Sequence, residues 1–352
     1  SFMMKVKLGL SMASLPKWQP TSAMDEFARI RTLLAPLTQA QPGAFNLTDD
    51  AACITPPPGQ KLVITQDALV EQVHFKGSEA PDQLAQKSLR VNVSDLAAKG
   101  AQPWLYFLSL SLTEACDDAW LEAFTLGLAA DQAAYGLTLA GGDSTRQPSH
   151  PTISITALGL VPSERGMVRR SGAQAGDHLF VTGTLGDAAL GLHADSKDEH
   201  AAFLRQRYTL PQPRTAAISL LRKYATAALD ISDGLVQDAG HLARASNLTV
   251  EIELQDLPLS HAARIIGGDD RDARLAAATG GDDYEILFTA PAAHASALME
   301  QAASIGLAVT RIGEVTASDV GVRLCYQGKD VPMPYAANLE KLALPNVEEV
   351  VS

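Results

Sequence analysis

The chain alternates between two periods. Short apolar runs of strand length take turns with longer stretches whose apolar residues recur every three or four positions, and that alternation favours helices packed on sheets. Ile30, Leu33, Leu34 and Leu37 predict a helix over 25–37. A strand follows at 61–65 (KLVIT), then a helix over 81–99 with Pro81 in its first turn and Gly100 at its end. Strand 104–112, helix 117–135 stopped by Gly136, and strands 137–140 and 152–160 complete a first half. The second half reads as strand 178–182, a helix from Asp187, another after Pro211 and Pro213, strand 227–231, helix 234–246, strand 249–254, a helix ending at 275–279 and strand 284–289. The pattern is α/β or α+β in two halves that meet near 160–170.

Length supports that division. A chain of 352 residues is long for one hydrophobic core. The expectation is an N-terminal domain over 24–162 and a C-terminal domain over 163–345, with a flexible leader at 1–23 and a tail at 346–352. Hydrophobic residues at 46% and charged residues at 19% suit a folded globular chain. No apolar run approaches the roughly 20 residues that span a bilayer, and the opening SFMMKVKLGLSM is too short and broken for a secretory signal. A cytoplasmic protein with no membrane partner is therefore expected. Cys53, Cys116 and Cys325 are widely spaced and odd in number, which argues against a zinc site or a disulfide framework. The net charge of −12 repels a phosphate backbone, so no nucleic acid is expected as a partner. Such a chain can still bind an anionic nucleotide if its carboxylates first collect divalent cations.

The aspartates stand where cations could collect. Asp49 and Asp50 precede an apolar patch, and Asp67 sits just past KLVIT. Asp143 follows Gly141 and Gly142, Asp230 and Asp233 flank Ile231 and Ser232, and Asp282 and Asp283 follow Gly280 and Gly281. Each lies at the end of an apolar element, where loops project side chains into a shared cleft. Asp95 falls on the apolar stripe of its helix with Leu84, Ser88 and Val91. A carboxylate there is costly unless it pairs, with Arg90 or another cation, or coordinates a metal. Read singly, Asp233 also suits a helix N-cap, and Asp49 and Asp143 suit turns. Together the clusters favour several hard cations such as Mg²⁺, Mn²⁺ or Ca²⁺, and no EF-hand spacing is present.

Phosphoryl transfer needs such an arrangement, because Mg²⁺ neutralises charge on the phosphates. No Walker A motif and no protein-kinase H-R-D or D-F-G set occurs. Gly183-Thr184-Leu185-Gly186, ahead of a helix, reads either as a backbone cradle for phosphate or as a plain tight turn. His74 alone reads equally as structural, and Arg169 with Arg170 as a surface basic pair.

Nine segments, in order, resemble the thiamine-monophosphate kinase family: TDDAAC at 48–53, ITQDALVEQVHF at 64–75, VNVSDLAAKGA at 91–101, GGDSTR at 141–146, RRSGAQAGD at 169–177, VTGTLGD at 181–187, LPQPR at 210–214, LDISDGL at 229–235 and GGDDYEILF at 280–288. That family belongs to an ATP-binding superfamily that includes aminoimidazole ribonucleotide synthetase and selenophosphate synthetase. The resemblance runs from about residue 24 to about residue 340. It implies a two-domain aminoimidazole ribonucleotide synthetase-like fold, α/β (α+β), with an N-terminal mixed sheet with helices and a C-terminal α/β domain. It also implies several Mg²⁺ ions, ATP and thiamine monophosphate as co-substrates, and a homodimer formed through the N-terminal domains. The implied metal ligands are Asp50, Asp67, Asp95, Asp143, Asp230 and Asp233, with Thr65 and Gln66 assisting. Gly142, Arg170 and Ser232 match nucleotide contacts, His74 and Asp282 match substrate contacts, and Tyr335 is the candidate for an aromatic that closes over the substrate.

Four positions depart from the family pattern. Thr48 stands for the usual Gly, Gln66 for Thr or Ser, Lys99 for a frequent Met, and Asp282 for Glu. Gln66 offers a carbonyl oxygen but no hydroxyl, and Asp282 has an arm one methylene shorter. The implied mechanism is direct in-line transfer to an acceptor phosphate that is already ionised, without a covalent intermediate. The competing readings are another ATP-using synthetase of the superfamily, a metal-dependent phosphohydrolase, and a cation-binding protein without turnover.

Overall fold

The computed structural model describes residues 24–39, 41–194 and 198–333; the expected leader, the tail and Tyr335 lie outside them. The first half builds one sheet from β1 (Gln60–Val70), β2 (Gln102–Leu112), β3 (Thr138–Arg146) and β4 (Thr152–Pro162). Their order is β1-β4-β2-β3, antiparallel except for the parallel β2–β3 pair. A short α1 (Glu26–Arg29) precedes it, and α2 (Pro81–Ala98) and α3 (Asp118–Tyr135) cover one face. Leu89 and Leu96 of α2 and Phe124 and Leu128 of α3 meet Tyr106, Ile153 and Ile155 of the sheet in one core. Asp117 caps α3 by accepting the Trp120 N–H at 2.8 Å, and Gly136 ends it at φ +73°.

The second half builds a seven-stranded mixed sheet from β5 (Asp177–Thr182), β6 (Ala227–Asp230), β7 (Thr249–Glu253), β8 (Ile286–Pro291), β9 (Val309–Thr316), β10 (Gly321–Tyr326) and β11 (Lys329–Val331), in the order β11-β10-β7-β9-β5-β8-β6. Its helices are α4 (Asp187–Leu192), α5 (Glu199–Thr209), α6 (Ile218–Tyr224), α7 (Leu235–Ser246), α8 (His261–Gly267), α9 (Arg271–Thr279) and α10 (Ala295–Ser304). Alternate residues of β5 and β8 feed two cores. Leu179 and Leu287 join Leu229, Leu242 and Ile312, whereas Phe180 and Phe288 join Leu220, Leu221 and Leu298. The second of these cores also takes Ala97 and Ala98 from the end of α2. That helix therefore packs in both halves.

Three expectations are corrected. The helix over 25–37 breaks into α1, a wide turn at Ile30–Leu34 and a tight turn at Ala35–Thr38. Pro36 has no N–H and its ring crowds the carbonyl four residues back, so the Ala35 N–H reaches Ile30 O instead. The first strand runs on past Thr65 to Val70, so Asp67 lies inside β1, on the same face as buried Val63 and Leu69. The third strand runs through both glycines, so Asp143 sits within β3, opposite Ser109 of β2.

Candidate active site

Four expected residues meet where α2 crosses β1 and the end of β6. Thr65 Oγ1 donates to Asp95 Oδ2 at 2.5 Å, and the Asp67 N–H donates to Asn92 Oδ1 at 3.1 Å. Ser94 Oγ donates to Asp230 Oδ2 at 2.7 Å, tying the two halves together. Arg90 does not serve Asp95; its Nε donates to Asp131 at 2.7 Å. Burial pushes the Asp67 carboxyl up to about 6, and repulsion from Asp95 adds to it. Burial and then the same Asp95 charge hold Asp230 well above the carboxylate range. Lys99 is a cation at this junction, its Nζ donating to Ala228 O at 2.8 Å. Burial pulls Lys99 down to about 8 against the attraction of Asp230. Asp67, Asp95 and Asp230 thus crowd one junction, with Lys99 and the Arg170 guanidinium as the cations beside them.

The turn from β6 into α7 holds a second group. Gly234, at φ +109°, turns the chain from strand to helix. Asp238 Oδ2 accepts the N–H groups of both Ser232 and Asp233 at 3.1 Å and so ties the turn to the first turn of α7; the N-cap itself is Gly234, not Asp233 as the sequence allowed. Asp233 stays exposed, accepting from Gln237 Nε2 at 2.9 Å. Among the described residues, Asp233, Asp238 and His241 bring ligand atoms within 4.8 Å of one another. Burial raises Asp238 to about 7 and lowers His241, with Arg244 and Arg170 adding to the latter. Arg170 also depresses Lys99, so its exposed guanidinium faces both groups. Sequence reasoning missed Asp238 and His241, although their three-residue spacing puts them on one face of a helix.

Asp50 and Asp143 meet elsewhere in the chain. With Glu26, Asp49, Ser109 and Gly142 they line a cavity of about 470 Å³ over β2 and β3. None of Thr65, Asp67, Asp95 and Asp230 lines it. A Cβ on Gly142 would stand 1.9 Å from Leu108 O, so only glycine permits this strand approach.

The remaining candidates lie at the rim. The Gln66 side chain points away from Thr65 and Asp67, its Nε2 donating to Ser154 Oγ at 3.1 Å. His74 Nδ1 accepts the Val70 N–H at 3.0 Å, which leaves the proton of the neutral ring on exposed Nε2. Asp282, at φ +66°, lines a cleft of about 260 Å³ with His193, Tyr208, Ser232 and Gly281. The Gly183–Gly186 segment is a tight turn, and the N–H groups of Gly183, Leu185 and Gly186 are taken inside the fold. Gly183 N donates to Ala308 O at 3.0 Å, Leu185 N to Pro258 O at 2.9 Å, and Gly186 N to Asp283 Oδ2 at 2.9 Å. They are not available to a phosphate.

Residues 48–161 match the family "AIR synthase related protein, N-terminal domain" and residues 174–325 its C-terminal counterpart. A thiamine-monophosphate kinase of Caulobacter vibrioides is 42% identical over 325 residues, covering 91% of each chain. The crystal structure of thiamine-monophosphate kinase from Stenotrophomonas maltophilia superposes with a TM-score of 0.74 at 40% identity, over 81% of this chain and 91% of that one. The structure described as "AaThiL complexed with AMPPCP and TMP" gives 0.69 at 32% identity, over 83% and 96%. The chain has the AIR synthase-like fold and belongs to the thiamine-monophosphate kinase family.

Proposed function

We propose that the chain transfers the γ-phosphoryl group of ATP to the phosphate of thiamine monophosphate, giving thiamine diphosphate. The observation that carries this reading is the convergence of Asp67, Asp95 and Asp230, from both halves, on one partly buried junction where burial and mutual repulsion oppose their ionisation. A donor set made only of oxygens suits Mg²⁺, and the reluctance of Asp67 and Asp230 to ionise is what a bound divalent cation would relieve. Asp50, Asp67, Asp95, Asp143, Asp230 and Asp233 would hold the ions, with the Thr65 hydroxyl beside them. Gln66 would take part through its backbone carbonyl, since its side chain faces the other way. When bound, Mg²⁺ supplies charge neutralisation on the phosphates.

The chain's own residues hold and orient. Arg170, Ser232 and Gly142 would contact the nucleotide, and His74 and Asp282 the acceptor. The attacking phosphate oxygen is ionised near neutral pH, so no general base is required. The family relation supports ATP and thiamine monophosphate as substrates, since a structural relative carries an ATP analogue and TMP by its own description. A homodimer formed through the first half, acting in the cytoplasm where ATP is supplied, completes the reading; no described helix is long and apolar enough to cross a membrane. The test is incubation with ATP, Mg²⁺ and thiamine monophosphate, with EDTA and no-ATP controls. Thiamine diphosphate that requires both ATP and Mg²⁺ is expected. Absence of product in a protein that binds Mg·ATP would move the substrate elsewhere.

A further inference from the structure

Lys87 lies in the middle of α2 with 3% of its surface exposed. It stands two turns before Ser94, on the same helix face, so both residues reach from the first half into the second. Its Nζ is 3.5 Å from Asp282 Oδ2 and 3.8 Å above the centroid of the Tyr208 ring. The other Asp282 oxygen accepts from the Tyr284 hydroxyl at 3.3 Å. Glu79 completes the surroundings: its Oε1 accepts the Lys76 N–H at 2.9 Å, while its Oε2 is buried with no hydrogen-bond partner. Burial lowers Lys87, with Asp282 and Glu79 pulling back; burial raises Tyr208 to about 12, and the same two carboxylates add to it.

We propose that Lys87 is a positioning residue that aims Asp282 into the cleft lined by Tyr208, Ser232 and Gly281, and so governs recognition of the cationic organic half of the acceptor. This rests on reading the acceptor as thiamine monophosphate, whose thiazolium ring is a cation. Exposure separates the two roles. The Lys87 side chain is 4% exposed and that of Asp282 36%, so a ligand in the cleft reaches the carboxylate and not the ammonium. Asp282 sits on a left-handed backbone, its N–H fixed on Ser232 O at 2.9 Å. Its short arm is then held from two sides, by Lys87 on one oxygen and Tyr284 on the other. Asp282 is the carboxylate that lines the cleft, which favours a cation at that point of it. A lysine buried this deeply is costly unless it is paired, and the pairing locks the carboxylate in turn.

Steady-state kinetics on Lys87→Met, Asp282→Asn and the double variant test this. Lys87→Met is expected to raise KM for thiamine monophosphate about tenfold while KM for ATP stays within about twofold. In the Asp282→Asn background the same change is expected to add nothing, because Lys87 acts through Asp282. Lys87→Arg should restore most of the affinity. Equal rises in both KM values, or an undiminished effect in the Asp282→Asn background, would overturn the inference. If Lys87→Met does not fold, Tyr284→Phe removes the other anchor of Asp282 and must raise KM for thiamine monophosphate alone; an unchanged KM there would overturn it as well. Lack of thiamine diphosphate from the unchanged chain overturns the functional reading itself, whereas an active chain indifferent to Lys87→Met overturns only the role of Lys87.

Discussion

A carboxylate on the apolar stripe of a helix needs a partner, and Asp95 finds the Thr65 hydroxyl rather than the arginine five residues before it. Asp95→Asn keeps an oxygen to accept that hydrogen bond and removes only the charge. It is expected to lower kcat at least about 100-fold with far-UV circular dichroism unchanged, as is Asp143→Asn in the separate cavity. Near-parental kcat in both variants would remove the metal assignment. Asp67 gives a prediction in pH. Burial pushes it up to about 6 from the ordinary 3.8, so its contribution to stability is fully present below about pH 4 and is lost as pH rises through 6. In EDTA, Asp67→Asn should therefore match the parent in Tm near pH 4 and exceed it above pH 6; a constant difference across that range would show the shift to be absent. Asp95 was legible because its chemistry conflicts with its helical position. Lys87 was not, because its neighbours in sequence say nothing of a partner 195 residues away, as Asp282 is from Lys87.

At the scale of elements, the segment that leads into β8 is held by charge rather than by apolar packing. Glu285 is fully buried and accepts from Arg207 Nη2 at 2.8 Å, from Arg214 Nε at 2.6 Å and from Thr182 Oγ1 at 2.7 Å. The motifs VTGTLGD, LPQPR and GGDDYEILF thus meet at one residue, three positions from Asp282. Glu285→Ala strands two arginines, one of them buried, and should cost about 3–5 kcal/mol in urea unfolding; a loss below about 1 kcal/mol would show that the network bears little of the stability. Helix and strand existence in the first half was readable from period, but extents were not. Asp67 and Asp143 looked like loop residues because polar side chains interrupt the apolar run, although the strands continue beneath them. α5 escaped the reading for a related reason: its buried stripe of Ala201, Leu204 and Tyr208 is interrupted by Arg207, whose burial depends on Glu285. No helix or strand was read beyond residue 289, where β9 bears a mixed pattern and pairs with β5 through an irregular register.

Among the described residues, one face of the first sheet has no helix packed on it. α2 and α3 cover one side, while on the other Ile64 is 61% exposed and Leu62 37%, both on edge strand β1. An apolar row on an unpaired edge invites association and, in a folded protein, usually has a partner. A second copy of the chain is the partner expected, through the first half. Each copy brings a net charge of −12, so association works against repulsion that salt screens. Sedimentation at micromolar concentration should therefore give twice the 37.2 kDa chain mass, with tighter association as salt rises from about 0.05 to 0.5 M. Ile64→Lys adds a charge to the apolar row without touching the core, and should shift the species to monomer while Tm measured on the dissociated chain stays the same. A parent that sediments as a monomer, or an Ile64→Lys variant that remains dimeric, would show that this face is not where the copies meet. Weakening by salt instead of strengthening would point to an interface held by ion pairs, which a row of leucine and isoleucine cannot supply.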